Sequence, residues 1–238
     1  MTTPPTTQLV DGIYAVDLGG VNVYLLDSDD GLVLIDSGVS GSADTIMRAI
    51  VAVDKPPDSL KHILITHLHP DHMGSAAALK RATGAQVYAH PLDAPIIKSG
   101  SDFDPSQDIP RPFHPAPGME TIFAQMISPV DGVEGVGTLH ELNDGDALSA
   151  LPALKTIHAP GHSAGQIVFL LDAHGGILFA ADTCANFDGL SYSIGYEDIA
   201  VGQQTLKMLG KRDFAMATFG HGMAMIRDAS KTWREKWG

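Results

Sequence analysis

The sequence predicts a mixed α/β fold in which two β-sheets pack together and helices cover their outer faces. Three observations support this class. Strand-like apolar runs followed by helical patterns occur in both halves of the chain. Turn-forming glycines separate the first strands. The 238 residues are 44% hydrophobic and 18% charged, which is ordinary for a globular chain with a proper core, and we expect a single domain over residues 1–238.

The amino-terminal half begins with short strands and continues with alternating helices and strands. We predict strands at 12–16, 22–26, 32–35, 62–65 and 86–89, and helices at 42–53, 73–83 and 91–97. Gly19-Gly20 and Asp29-Asp-Gly31 are typical of hairpin turns between the first three strands. Residues 1–8 have neither a basic nor an apolar segment, so they are expected to form a loosely ordered arm and not a secretory signal.

The carboxy-terminal half contains a long segment without a regular pattern, residues 98–137, which has six prolines. Irregular segments of that length are commonly functional, so we expect a lid whose shortening changes substrate preference and leaves metal content intact. Regular elements then resume. The predicted strands are 138–142, 154–158, 166–171, 176–180 and 214–218, and the predicted helices are 198–210 and one from about 223.

Charge and composition exclude several classes of partner. The formal net charge of −13 opposes binding to nucleic acid, which depends on lysine and arginine. No apolar run approaches the roughly 20 residues that span a bilayer, so no membrane partner is expected. The single cysteine, Cys184, rules out an intrachain disulfide and fits a reducing cytoplasm. The sequence leaves the oligomeric state open, and a homodimer is compatible with it.

The densest set of potential metal ligands lies in Thr66-His-Leu-His-Pro-Asp-His-Met-Gly74, directly after a predicted strand. Alternate residues of an extended segment face the same way, so His67 and His69 can point at one ion. The following proline turns the chain toward a helix, which directs Asp71 and His72 toward a second position nearby. Imidazole suits Zn, Fe, Ni and Cu, and a carboxylate adds a hard anionic ligand. The segment therefore predicts a metal site.

Three further potential ligands follow predicted strands later in the chain. They are His162 in Ala159-Pro-Gly-His-Ser163, Asp182 at the end of Gly176-Ile-Leu-Phe-Ala-Ala-Asp182, and His221 between two glycines. An isolated histidine or aspartate after a strand is usually a turn residue. In this order and together with the first motif, the three indicate that the metal site draws ligands from the whole chain.

These motifs resemble the metallo-β-lactamase superfamily, whose signature is H-x-H-x-D-H, then a histidine after Pro-Gly, an aspartate after an apolar strand and a final histidine. The resemblance extends from Leu32-Val-Leu-Ile-Asp-Ser-Gly38 to His221, and no motif is missing. It implies the metallo-β-lactamase fold, a four-layer αββα sandwich with the site at one edge of the two sheets.

The resemblance also implies a role for each ligand. One metal would be held by His67, His69 and His162. The second would be held by Asp71, His72 and His221, and Asp182 would bridge the two metals. By the same resemblance, Asp36 would support the metal-bearing loop from behind the ligands, although its position before Ser37-Gly38 is nearly as typical of a simple turn residue.

This ligand set predicts a hydrolase. Two cations about 3.5–4 Å apart acidify one water and polarise the substrate oxygen. Asp71 could orient that water and pass a proton to the leaving group. We expect a metal-bridging hydroxide to attack an ester, thioester or lactone of a small molecule. The cofactors would be two divalent ions, zinc by preference, with Fe or Mn compatible with the same ligands.

Within the superfamily, the residues disfavour several members. β-Lactamases are secreted and usually have a cysteine where this chain has Asp182, and only 17 residues follow His221, too few for the helical domain of glyoxalase II. Quorum-quenching lactonases share all seven ligands but have a tyrosine at the position of Ala185. The substrate contacts could instead come from Tyr192 or Tyr196, and His114 of the proline-rich segment could also face substrate.

Two other functions remain open from the sequence. A mononuclear iron persulfide dioxygenase of the same fold would need histidines such as His67 and His162 together with Asp182, and not the second ligand set. A non-catalytic binding module would keep only the fold, and retention of all seven ligands argues against it. Whether Cys184 and His158 contribute to the site is left open.

Overall fold

The computed structural model describes residues 5–101, 112–126 and 132–238, and these contain eighteen strands and seven α-helices. The strands are β1 (Thr6–Val10), β2 (Ile13–Asp17), β3 (Asn22–Ser28), β4 (Gly31–Ile35), β5 (Leu60–Leu64), β6 (Gln86–Ala89), β7 (Gly100–Ser101), β8 (His114–Pro115), β9 (Val133–Glu134), β10 (His140–Glu141), β11 (Ala147–Leu148), β12 (Leu151–His158), β13 (Ile167–Leu171), β14 (Ile177–Phe179), β15 (Ala185–Asn186), β16 (Leu190–Ser191), β17 (Gly195–Tyr196) and β18 (Met216–Thr218). The helices are α1 (Ala43–Ala52), α2 (Pro70–Met73), α3 (Ala76–Thr83), α4 (Ala94–Ser99), α5 (Glu120–Met126), α6 (Ile199–Gly210) and α7 (Ala229–Trp237).

The chain divides into two compact units, of which the first contains the described residues up to Ser101, Val133–Leu142 and Ala147–Pro152. Its main sheet has the strand order β1-β2-β3-β4-β5-β6-β10. The strands from β1 to β4 are antiparallel, and those from β4 to β10 are parallel. The sheet strands and helices α1 and α3 bury one apolar cluster, in which Leu34, Ile63 and Leu79 are fully inaccessible to solvent.

Parallel pairing in this sheet places two chemically active loops at the same edge. Ile35 at the end of β4 pairs with Leu64 at the end of β5, and the Asp36 N–H donates to the Leu64 carbonyl oxygen over 2.8 Å. Side chains that follow neighbouring parallel strands therefore come close together. Asp36 follows β4, and the segment Thr66–His72 follows β5.

The second unit contains residues 112–126, 132, 143–146 and 153–238. Its sheet includes β12, β13, β14 and β18 in that order, with β14 parallel to β18. Phe179 at the end of β14 therefore pairs with Thr218 at the end of β18, and the chain beyond each strand emerges at one edge. The fully buried Trp233 of α7 stacks against Phe219 and donates its indole N–H to the Leu206 carbonyl oxygen of α6 over 2.8 Å.

The predicted mixed α/β class is confirmed. The chain divides into two compact units, and the prediction of a single domain over residues 1–238 stays a prediction. Besides shifts of up to three residues at the ends of elements and the unpredicted two-residue strands β11, β15, β16 and β17, four details differ from the sequence prediction. Strand β1 begins at Thr6, inside the expected arm, and the final helix starts at Ala229, later than residue 223. The predicted helix 73–83 is two helices, α2 and α3, which are separated by Gly74 and Ser75. Residues 98–137 are less irregular than expected where they are described.

The proline-rich segment contains ordered elements where it is described. The end of α4, strands β7, β8 and β9, and helix α5 all fall within residues 98–137. These pieces are two to seven residues long, too short to produce a periodic apolar pattern. The rest of the predicted lid, residues 102–111 and 127–131, lies outside the described residues.

Membrane insertion through a helix finds no support in the described part of the chain, where none of the helices is both long enough and apolar enough to span a bilayer.

Gly74 is the glycine on which the packing of the histidine-rich loop depends most directly. A Cβ at this position would overlap the Pro70 carbonyl oxygen and the backbone nitrogen of Ser40. We expect Gly74→Ala to lower the free energy of unfolding by about 1–3 kcal/mol, because the backbone has to move apart. Urea denaturation measures this change. Val51→Ala, at an exposed position on α1, is the control and should change stability by less than about 0.5 kcal/mol; an equal loss in both variants would contradict the prediction.

Candidate metal centre

Four of the predicted ligands lie together in the first unit. His67 and His72 are fully buried, His69 is 7% exposed, and Asp71 is half-buried. The Nε2 atom of His67 lies 3.0 Å from Nδ1 of His69, and Nε2 of His72 lies 3.7 Å from a carboxylate oxygen of Asp71. The imidazole rings of His67 and His72 are only 4.1 Å apart between centroids. The loop after β5 therefore directs four donor side chains toward one another.

Behind these ligands, the buried carboxylate of Asp36 sets the orientation of two imidazoles. Its Oδ1 accepts from the Thr66 backbone N–H, and its Oδ2 accepts from both the Thr66 hydroxyl and Nδ1 of His72, each over 2.8 Å. Because the Thr66 hydroxyl donates to Asp36, it can only accept from Nδ1 of His67, 3.0 Å away. Both Nδ1 atoms then carry hydrogen, and the Nε2 lone pairs of His67 and His72 are available to a metal.

Asp93 is a functional candidate that the sequence analysis missed. Its side chain is fully buried, and its Oδ2 accepts from the N–H of Leu68, the residue between His67 and His69, over 3.2 Å. This contact fixes the backbone on which both histidines depend. The position gave no distinctive signal, because an aspartate just before a helix is typical of an N-cap, and Asp93 makes no side-chain cap bond to α4.

The other three predicted ligands lie together in the second unit. One carboxylate oxygen of Asp182 lies 3.6 Å from Nε2 of His162 and 3.2 Å from Nε2 of His221. His162 and Asp182 are buried, and His221 is partly exposed. Nδ1 of His162 lies 2.8 Å from the Gly195 carbonyl oxygen, which can only accept a hydrogen bond. That contact places the hydrogen on Nδ1 and leaves the Nε2 lone pair toward Asp182.

The separations between these atoms fit a metal ion. Two ligands bound about 2.0–2.1 Å from one tetrahedral ion lie about 3.3–3.4 Å apart. The observed distances are 3.0 Å between His67 and His69, 3.6 Å between His162 and Asp182, and 3.2 Å between His221 and Asp182. Imidazole nitrogens and carboxylate oxygens are also the donor types that zinc, iron and manganese accept. Both the donor chemistry and the spacing are therefore suited to divalent cations.

The structure places the seven predicted ligands in two clusters, one in each unit. The first unit contains His67, His69, Asp71 and His72, and the second contains His162, Asp182 and His221. Each cluster contains ligands from both of the sets that the family resemblance implies, and the assignment of the sets stays a prediction.

The two tyrosines predicted to contact substrate both make contacts within the second unit. Tyr196 is 1% exposed, and its hydroxyl donates to the Thr183 carbonyl oxygen over 2.6 Å and accepts from the Ser193 N–H. The ring of Tyr192 packs against Trp237 at 4.8 Å, and its hydroxyl accepts from the Gln203 side chain. Contact of either phenol with substrate stays a prediction.

The remaining candidates are placed as follows. His114 is exposed on β8, where its backbone pairs with Tyr196, and its contact with substrate stays a prediction. Cys184 is 1% exposed, burial raises the pKa of its thiol, and it belongs to none of the groups of candidate metal ligands among the described residues. Nε2 of His158 lies 2.8 Å from the Ala164 carbonyl oxygen, which gives this histidine a structural partner.

Comparison with known proteins identifies the family. The sequence model of the metallo-β-lactamase superfamily matches residues 16–221. The chain belongs to this superfamily. The solved structure of a B3 metallo-β-lactamase with an active-site glutamic acid superposes with a TM-score of 0.72 at 22% identity, covering 97% of this chain and 88% of that one. The subclass B3 enzyme BJP-1 of Bradyrhizobium japonicum has a TM-score of 0.69 at 23% identity, covering 92% and 79%. These structures establish the fold alone.

The relatives in sequence have diverse names. The uncharacterized protein YobT of Bacillus subtilis is 30% identical over 73% of this chain and 66% of its own length. An N-acyl homoserine lactonase of a Bacillus species is 22% identical over 86% of this chain and 82% of its own. The thioesterase pkgB of Emericella nidulans is 24% identical over 89% of this chain. The chain spans less than two thirds of the length of YobT and only 48% of pkgB.

The aspartate–histidine contact behind the ligand loop yields a test. In Asp36→Asn the side-chain amide donates where the carboxylate accepted, so His72 has to accept at Nδ1 and carry its hydrogen on Nε2. That tautomer blocks metal binding through Nε2, and we expect metal affinity to fall about 10- to 100-fold. Competition with a chromophoric chelator measures the affinity.

The chain provides a matched control for this test. Asp30 forms a second aspartate–histidine pair, 3.2 Å from Nε2 of His62, in which the histidine is not a candidate ligand. Asp30→Asn should leave metal affinity unchanged. A similar loss in both variants, or no loss in Asp36→Asn, would contradict the role assigned to Asp36.

Proposed function

We propose that this chain is a dinuclear metal-dependent hydrolase that cleaves an ester, thioester or lactone of a small molecule. The proposal rests chiefly on one observation: seven histidine and aspartate side chains lie in two clusters, four in the first unit and three in the second, with an acceptor behind three of the histidines. A binding module that merely kept the fold would not need these buried and oriented imidazoles. The superfamily to which the chain belongs includes metallo-hydrolases, and this agrees with the proposal.

One ion would be held by His67, His69 and His162. A second would be held by Asp71, His72 and His221, and the carboxylate of Asp182 would bridge them. Two such ions acidify a water molecule and polarise the carbonyl oxygen of the substrate. Zinc is the ion we place first, because the donors are nitrogen and oxygen atoms at near-tetrahedral spacing. Iron and manganese fit the same donors.

Asp71 is the residue to which we assign proton transfer. One of its oxygens lies 3.7 Å from Nε2 of His72, on the side of the ligands, and its side chain is 37% exposed. This position allows the carboxylate to accept a proton from the attacking water and later donate it to the leaving oxygen or sulfur. Asp182 is buried, so we assign it the bridging role only.

The substrate class follows from the chemistry and from the relatives. A lactonase and a thioesterase are among the relatives, and both reactions add water to an acyl carbon. The lactonase tyrosine is replaced by Ala185, which is buried, and the hydroxyl group of Tyr196 already donates to Thr183 and accepts from Ser193. Polarisation of the carbonyl oxygen would then depend on the cations. A cytoplasmic location, consistent with the single buried Cys184, belongs to the same proposal.

His221 separates the hydrolase from the persulfide dioxygenase. It belongs to the second ligand set, which a single-iron enzyme does not use. We expect His221→Ala to lower the content of the second metal and to reduce esterase or lactonase turnover by at least about 10²-fold. Elemental analysis and single-substrate kinetics measure the two effects, and the activity of the parent protein should persist without oxygen.

His140→Ala is the control, since His140 is exposed and belongs to none of the ligand groups. It should retain both metals and full activity. Oxygen consumption with a persulfide substrate that survives His221→Ala would overturn the hydrolase proposal and leave the fold assignment intact.

A further inference from the structure

A part of the proline-rich segment packs directly on the proposed ligand His162. The ring of Phe113 meets the imidazole edge-on, with centroids 5.3 Å apart and planes at 86°. Phe123 of α5 stacks on Phe113 at 5.8 Å and 30°. Both phenylalanines are partly buried. All three residues belong to the second unit, so this packing is internal to it.

The same segment is joined by backbone hydrogen bonds to β17, the strand whose Gly195 carbonyl oxygen contacts His162. Strand β8 pairs with β17, with Pro115 opposite Gly195, and the Ala116 N–H donates to the Ile194 carbonyl oxygen over 3.0 Å. The Gly195 carbonyl oxygen accepts the hydrogen bond from Nδ1 of His162. One short strand therefore contacts both the inserted segment and the ligand.

Gly195 lies beneath the two phenyl rings without space for a side chain. A Cβ there would lie 2.6 Å from Cε1 of Phe113 and 2.7 Å from Cε2 of Phe123, closer than such atoms approach. The close approach of rings and backbone explains the glycine. It also means that a shift of either ring would displace the carbonyl that orients His162.

The imidazole of His162 is thus held from two sides and at one nitrogen. Phe113 packs against it from one direction, and the Tyr196 ring from another, with centroids 5.8 Å apart and planes at 86°. The Gly195 carbonyl fixes Nδ1, and the imidazole is 2% exposed. Its remaining freedom of rotation is small, and the aromatic contacts determine where Nε2 points.

We propose that residues 112–126 form a positioning element for His162, in which Phe113 orients the imidazole and Gly195 transmits the packing of the segment to its Nδ1 contact. The inference rests on the proposed function only in taking His162 as a metal ligand. It reverses the expectation from the sequence that this segment is a separable lid, because disturbing it should weaken metal binding. Phe113 is a positioning residue and not a catalytic one.

The test compares metal affinity in the full chain carrying Phe113→Ala or Ile122→Ala. Ile122 lies on α5 in the same segment and is 44% exposed, so its loss leaves the contacts of His162 in place. Competition of the apo-protein with a chromophoric chelator for Zn²⁺ gives the affinity, and the visible spectrum of the Co²⁺ form reports the ligand geometry. We expect Phe113→Ala to weaken the binding of one ion about 10-fold or more and to alter the Co²⁺ spectrum. Ile122→Ala should do neither.

The outcomes separate this inference from the proposed function. Failure of the parent protein to bind any divalent metal would overturn both. Parent binding that is unchanged by Phe113→Ala, or weakened equally by Ile122→Ala, would overturn the positioning role alone. Should Phe113→Ala not fold, as judged by circular dichroism, Phe123→Ala replaces it, since it removes only the ring stacked on Phe113. We expect Phe123→Ala to weaken the binding of the same ion several-fold, and unchanged affinity would again overturn the proposal.

Discussion

Three hydrogen bonds to the buried carboxylate of Asp36 join the end of β4 to the loop that carries four of the seven candidate ligands. Asp36 adopts a left-handed backbone conformation, with φ of 61°, which aspartate tolerates better than most residues. This turn places the carboxylate beneath Thr66 and His72, where it sets the position of the backbone and the tautomers of two imidazoles. Parallel pairing of β4 with β5 brings the two segments together, so the sheet register and the ligand geometry depend on each other.

Charge burial explains why so many contacts are arranged behind the ligands. A carboxylate removed from water costs several kcal/mol unless hydrogen bonds or cations compensate it. Asp36 is compensated by hydrogen bonds, whereas Asp182 lies among imidazole Nε2 atoms, where divalent cations would supply the compensation. The acceptors behind His67, His72 and His162 belong to Thr66, Asp36 and Gly195, respectively, and hold the rings for binding through Nε2. The centre is therefore built in two layers, with ligands in front and acceptors behind.

The sequence was sufficient where interactions are local or follow a regular pattern. Alternation within the loop after β5 paired His67 with His69, and apolar runs located the strands that carry Asp182 and His221. It was insufficient where positions distant in the chain meet through short elements. Strands β8 and β17 have two residues each, so no periodicity could connect Phe113 with Gly195. Likewise, an aspartate just before a helix is typical of a cap, so the contact of Asp93 with the backbone of Leu68 had no signal in the sequence.

The central claim, that these side chains hold two metal ions close together, is tested most directly by X-ray absorption spectroscopy of the protein loaded with zinc. The account predicts nitrogen and oxygen ligands at about 2.0–2.2 Å with no sulfur contribution, since Cys184 belongs to none of the groups of candidate ligands among the described residues. It also predicts a metal–metal scattering peak at about 3.5–4 Å. A spectrum that requires sulfur ligation, or one without metal–metal scattering at full occupancy, would contradict the dinuclear centre.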